Sequence, residues 1–295
     1  MISATSLRGR KSLAGWGLAV GLLIGGVSVR GQEGGTAPPA PSAPQAEPKK
    51  DLPAGKEIVE RHLKAVGGRE AIMKHTSRVL KATMSSPMMP GEMQLEMIGA
   101  KPNKLVQKVS TPQGDMTAGF DGKVAWANNA MMGPMLLEGD QAEGLKQQAD
   151  FYDDAKDLSR FKSVETVDLV DFEGRKCYKV RLIEGENDET IEYYDAETGM
   201  QAGQVAKQTG MAGEMEVTMV LQEYKEFGGV KSPTKLIVRA MGMEQVLTVN
   251  SIEYDKVEPS VFDLPEEIKA LLKEKEATDK PVSGETKPAE PKPQP

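Results

Sequence analysis

Apolar and polar side chains alternate with a period of two in several separate stretches of this chain. In GEMQLEMIG, Met93, Leu95 and Met97 alternate with Gln94 and Glu96, the pattern of a half-buried strand. CYKVRLIEG sets Tyr178, Val180 and Leu182 against Lys179 and Arg181, and GEMEVTMVLQEY places Met215, Val217, Met219 and Leu221 on one face. TKLIVRAMGMEQVLTVNSIEYD predicts a hairpin turning near Gly242, and YYDAETGM a strand running into an Asp-rich turn. About eleven strand candidates follow, spaced by short turn signals as in a meander or barrel. Helical spacing breaks in at three places. AGKEIVERHLKAVGGREAIMKHTS carries Ile58, Val59, His62, Leu63 and Val66 as one stripe, ended by Gly67-Gly68. GDQAEGLKQQADFYDDAKDLSRF offers Leu145, Ala149, Tyr152, Ala155 and Leu158 to a sheet, and LPEEIKALLKEKE opens on Pro265 and offers Ile268, Leu271 and Leu272. The expected plan is helix, half a sheet, helix, the other half, helix: an α+β domain over 54–276 with a large antiparallel sheet and helices on one face.

Composition changes the picture at both ends. Residues 1–31 read as a leader: Arg8, Arg10 and Lys11, then LAGWGLAVGLLIGGVSV, then Val29 and Gly31 at the small positions a signal peptidase needs. As a retained anchor the run is short and glycine-rich against the ~20 residues that span a bilayer, so cleavage near Gly31 and export to the periplasm are expected. No cysteine stands near that point to carry a lipid anchor. Cleavage removes four positive charges and no acids, which takes the formal charge from −7 to −11. Nucleic acid is excluded as a partner on that balance, and contact with an anionic membrane is at most transient. Residues 32–53 are rich in proline and alanine and 277–295 in proline, lysine and glutamate, compositions that favour solvated tails.

Reactive chemistry is sparse. The two histidines, His62 and His75, have no partner one helical turn away, and Cys177 has no second cysteine to pair with. That excludes a disulfide framework and argues against a zinc or iron site. Cys177 sits in an alternating strand, the setting of a packed thiol. Acids gather in FYDDAKDL, EGENDET and YYDAET, which read as turns and helix faces rather than two carboxylates held across a cleft. GENDET lacks the spacing of a complete calcium loop. No glycine-rich phosphate loop appears. No catalytic residue, metal or cofactor is expected, and the chain is read as a non-enzyme.

Methionine is the positive feature. The chain has 17, many in strand regions, against an aromatic content of 5%. Unbranched and polarisable, methionine suits a surface that reshapes around varied apolar ligands. It serves equally as filler of a solid core, and periodicity does not separate the two.

Three blocks carry a family resemblance: AKPNKLVQKV (Ala100–Val109), GFDGKVAWANNAMMGP (Gly119–Pro134) and KVEPSVFDLPEEI (Lys256–Ile268). They resemble the basic-Pro-Asn turn, the Asp-Gly-Lys hairpin with its tryptophan strand, and the closing Phe-x-x-Pro segment of the LolA/LolB-like periplasmic lipoprotein carriers and the wider outer membrane lipoprotein-sorting group. The resemblance implies a half-open antiparallel β-barrel closed by helices, with an apolar cavity that shelters acyl chains of lipoproteins or other lipids. It also implies a donor or acceptor protein at the inner or outer membrane. Met93, Leu95, Met97, Met116, Trp126, Met215, Met219 and Leu247 are the expected cavity lining, and Lys101 stands at the turn position that the carriers use to hold a lid. The carriers have arginine there, and lysine cannot make the same bidentate bonds. The rival expectation is a non-transporting interaction or scaffold module with the same barrel and a filled core.

Overall fold

The computed structural model describes residues 52–278 apart from positions 88, 113, 186–188 and 211–212. Residues 1–51 and 279–295, and with them the leader and most of both tails, lie outside the described residues. The chain opens with α1 (Gly55–Ala65) and α2 (Arg69–Met73). Six strands follow: β1 (Ser77–Ser86), β2 (Met89–Ala100), β3 (Lys104–Thr111), β4 (Gly114–Phe120), β5 (Ala125–Asn129) and β6 (Gly133–Leu136). After α3 (Gly139–Gln148) come β7 (Ser163–Phe172), β8 (Arg175–Ile183), β9 (Glu189–Asp195), β10 (Gln201–Gly210), β11 (Gly213–Phe227), β12 (Val230–Ala240) and β13 (Met243–Tyr254), and α4 (Glu266–Thr278) closes the order.

All thirteen strands form one antiparallel sheet in the order β6-β5-β4-β3-β2-β1-β13-β12-β11-β10-β9-β8-β7. Two meanders are joined where the first strand pairs with the last, Leu80 opposite Ile252 and Met84 opposite Leu247. The sheet is open, with β6 and β7 at its edges. The expected sequence of helix, half-sheet, helix, half-sheet and helix is what the chain forms. The strand count is thirteen rather than about eleven, and the short β5 and β6, with Asn128, Asn129 and Pro134, show no alternation. Their extended form comes from pairing in register on β4, Gly119 opposite Trp126 and Trp126 opposite Leu136.

This topology forces one feature. The first meander leaves the sheet at one edge and the second enters at the other, so α3 and the connection 149–162 must cross a face to link them. That inner face also takes α1, whose Ile58, Val59 and Leu63 are buried with Val164, Val180 and Leu182 of β7 and β8. Leu145 and Ala149, from α3 and just beyond it, pack with Leu105, Ala118 and Phe120, and Gln107 on the same face donates to Gln148 Oε1 at 2.7 Å. Phe262, in a short 3₁₀ turn before α4, packs on the outer face with Ile98 and Val106. Cys177 is buried in β8, and burial pushes its thiol up to about 11, which keeps it protonated and inert.

Candidate functional site

The inner face divides into two ends. At one end the alternating residues of β1–β4 and β11–β13 make a single apolar cluster: Met84, Met93, Met219, Leu236 and Leu247 are buried in it, and Met97 and Met116 pack against it. Pairing explains why these residues share a face. Met84 stands opposite Met93, Leu95 opposite Val109, and Val109 opposite Met116. The hairpin turns at this same end expose more methionine, with Met131 and Met132 at 85% and 64% and Met241 and Met243 at 63% and 41%.

Six of the eight residues expected to line a cavity, namely Met93, Leu95, Met97, Met116, Met219 and Leu247, therefore meet in one place. They meet side chain to side chain: Met93 and Met219 are only 2% and 1% exposed. Met215 lies toward the turn of β11, half-buried, and pairs with Gln208. Trp126 does not join them. Register puts it opposite Gly119, on the face that carries Ile98 and Val106, and its ring covers Gly119 so closely that a Cβ there would lie 2.6 Å from the indole. The period of two shows that Trp126 and Ala125 point opposite ways, but not which of them points inward.

At the other end, ion pairs and hydrogen bonds are added to the apolar cluster that α1 and Ala155 make with β7 and β8. The connection 149–162 is fastened to five separate elements. Phe151 N–H donates to the Pro102 carbonyl at 3.1 Å, and the Arg78 guanidinium lies 5.5 Å over the Phe151 ring while it donates to Asp154 at 2.9 Å. Tyr152 Oη donates to the His75 carbonyl at 3.0 Å. Arg69 donates to the carbonyls of Ala155 and Lys156 at 3.0 and 3.2 Å. Arg160 meets Asp153 at 3.0 Å and Glu184 at 3.2 Å. Lys101 is exposed in the β2–β3 turn, and it is the backbone of its neighbour Pro102 that meets the connection.

At the centre of this end Lys156 has φ +45°, an unfavourable left-handed conformation for a side-chain-bearing residue. It aims Nζ at Glu192 Oε1, 2.6 Å away, and the two side chains are 4% and 0% exposed. Tyr194 Oη donates to the other Glu192 oxygen. Burial, with the Glu192 charge beside it, raises the Tyr194 phenol well above its ordinary range, so it stays a donor. His62 packs on Tyr194 with ring centres 5.3 Å apart, and its Nδ1 lies 3.2 Å from the Gly199 carbonyl, which fixes that nitrogen as the donor. Burial and the Lys156 charge lower His62 to about 3, so the ring is neutral. A cavity of about 60 Å³ touches His62, Lys156 and Tyr224. It has room for a few waters and lies far below the size of ordinary ligand pockets.

A second recess, of about 320 Å³, lies where β5 and β6, α3 and α4 meet. Its walls include Phe120, Val124, Ala125, Leu136, Ala142 and Leu272. Sequence reasoning missed it because its walls run over residues 120–146, where no alternation marks a face, and it is closed only when Leu272 and Lys275 of the last helix come up against them. None of the eight expected lining residues borders either hollow. Among the described residues no group of three or more His, Cys, Asp or Glu side chains could hold a metal ion, and no helix is long and apolar enough to cross a membrane.

No family model matches the chain, and no curated protein matches it. Solved structures do. The chain is similar to a DUF1329 family protein from Desulfovibrio piger at 9% identity, over 72% of this chain and 98% of that one, with a TM-score of 0.50. It is similar to a LolA superfamily protein from Nitrosomonas europaea at 11% identity, over 72% and 99%, with a TM-score of 0.48. It is also similar to a putative outer membrane lipoprotein-sorting protein domain from Vibrio parahaemolyticus at 10% identity, over 74% and 97%, with a TM-score of 0.46. At 9% identity the likeness to the DUF1329 family protein is one of fold alone.

Proposed function

We propose that this chain is an exported, periplasmic, non-enzymatic binding or carrier protein for acyl chains of lipids or lipoproteins. One observation carries the reading: the inner face of β1–β4 and β11–β13 is a continuous apolar surface in which Met84, Met93, Met97, Met116 and Met219 are the adaptable members. Each methylene left in water costs ~0.8 kcal/mol, so a carrier has only to remove that penalty during transit. An acyl chain enters this face by displacing methionine side chains, which repack at low cost because they are unbranched. Met215 and the exposed methionines of the neighbouring turns mark the side from which it enters. The leader supports export, and a donor or acceptor protein at either membrane would complete the transfer.

The close packing of the cluster favours a second reading, a non-transporting interaction module with a filled core. Native mass spectrometry of the purified protein for co-purified lipid, followed by titration with a fluorescent acyl probe, separates the two. Saturable binding that weakens when Met93 and Met219 are both replaced by leucine supports the carrier. A protein that arrives lipid-free and binds no acyl probe is the scaffold.

A further inference from the structure

The recess beside β6 has both an apolar floor and a charged rim. Val124, Ala125, Leu136, Leu137, Ala142 and Leu272 make the floor, and the volume of about 320 Å³ falls at the small end of the range for ligand pockets. Around it stand Lys123, Lys146 and Lys275 against Glu138 and Glu143. The rim is therefore net positive in a chain whose formal charge is −7. Lys146 faces Glu143 at 3.7 Å and Lys275 is paired with Glu138, so the exposed Lys123 of the β4–β5 turn supplies the excess. The Lys275–Glu138 pair straps the last turns of α4 to the segment after β6. Both of its side chains are well exposed, at 49% and 67%, which makes the strap weak.

We propose that this recess is a preformed binding site for one fatty-acid molecule, with the hydrocarbon on the apolar floor and the carboxylate among the rim lysines. The proposal rests on the acyl-binding reading above for the class of ligand alone, and it adds a second, separate site away from the methionine face, with a chain number and a head-group charge. An uncharged or cationic head forfeits the rim, and a second chain exceeds the volume.

Trp126 is the built-in reporter, since it is the register partner of Leu136 and the neighbour of Ala125, both in the recess wall. Purified protein without residues 1–31, and so without Trp16, is titrated with brominated palmitate while Trp126 emission is followed. The expected result is saturable quenching, with affinity falling about fourfold for each methylene removed from the chain. Lys123→Glu weakens the carboxylate several-fold and leaves hexadecanol unchanged. Ala142→Phe, which fills the recess, and Leu272→Asp, which puts a charge in its wall, each weaken binding about tenfold or more. Lys162→Ala leaves it unchanged. Circular dichroism checks each variant, and Leu272→Asp, at a half-buried helix position, still decides should Ala142→Phe fail to fold. Saturable binding of equal affinity in wild type and both recess variants overturns the proposal while leaving the acyl-binding reading intact. No saturable binding of any acyl probe by the wild type ends both.

Discussion

The two ends of the inner face solve the same problem, covering one side of an open sheet, one with apolar contacts alone and the other with buried charge beside them. The end formed by β1–β4 and β11–β13 uses methionine, leucine and valine with no charge in the cluster. The end crossed by the connection 149–162 adds, to the apolar packing of α1 on β7 and β8, a buried lysine–glutamate pair, a phenol and three arginines. Directional contacts fix one geometry, because a buried charge without its partner is costly. Dispersion contacts between unbranched side chains tolerate several arrangements of similar energy. The difference places rigidity where the chain must cross from edge to edge, and adaptability where an apolar ligand would be admitted.

The strongest way to break that contrast is to remove Glu192. With Glu192→Ala, Lys156 remains buried with no counter-charge, and stability should drop by about 3–5 kcal/mol in denaturant unfolding. Replacing both partners with apolar residues, Lys156→Met with Glu192→Leu, should recover most of the loss. A Glu192→Ala protein as stable as the parent would mean that the charged end is not the rigid one.

Next in size is Gly203→Ala, on the outer face of β10, where Gly203 stands opposite Tyr193. A Cβ there would sit 2.3 Å from the Met219 carbonyl oxygen and 2.6 Å from the Phe172 ring, which stacks on Tyr193 at 4.0 Å. Overpacking of this kind costs about 1–3 kcal/mol, and a melting curve measures it.

Acid should act through the charged end first. Folded His62 takes up a proton only near pH 3, while the unfolded chain does so near 6.5. Between those values the unfolded state binds more protons, so stability is complete above pH 6.5 and declines as pH falls toward 3. His62→Gln should flatten that decline in pH-dependent unfolding. A lower step comes from Asp255. Partial burial opposes its ionisation, but bonds from His75 at 2.7 Å, from Thr76 N–H and hydroxyl, and from Ser77 N–H prevail and hold it at about 2. Its contribution is full above its unfolded value of 3.8 and is lost as pH falls through about 2.

The smallest effect is expected at the methionine end. Met219→Leu conserves volume and should cost less than about 1.5 kcal/mol. If melting shows a loss as large as that of Glu192→Ala, the cluster is as rigid as the charged end and the contrast fails.

Much of the sheet was legible because burial on one face imposes alternation. Met93, Leu95 and Met97 had to share a side of β2, as did Met215, Val217 and Met219 on β11. The edge strand β6 was not legible from alternation, and β5 was signalled only by the family resemblance, since Asn128, Asn129 and Pro134 take extended form by pairing. The Trp126 side chain was misplaced for a related reason: parity within a strand fixes relative faces, and only the neighbouring strands decide which face turns inward.

By itself the sequence determined the element order, the antiparallel pattern, the methionine-rich face and the scarcity of reactive groups, because each follows from spacing and composition within short windows. Tertiary structure alone decided that Lys156 meets Glu192, that the expected lining residues fill their own space, and that β5, β6, α3 and α4 enclose the recess. Those outcomes depend on contacts between residues far apart in the chain, and local periodicity holds no record of them.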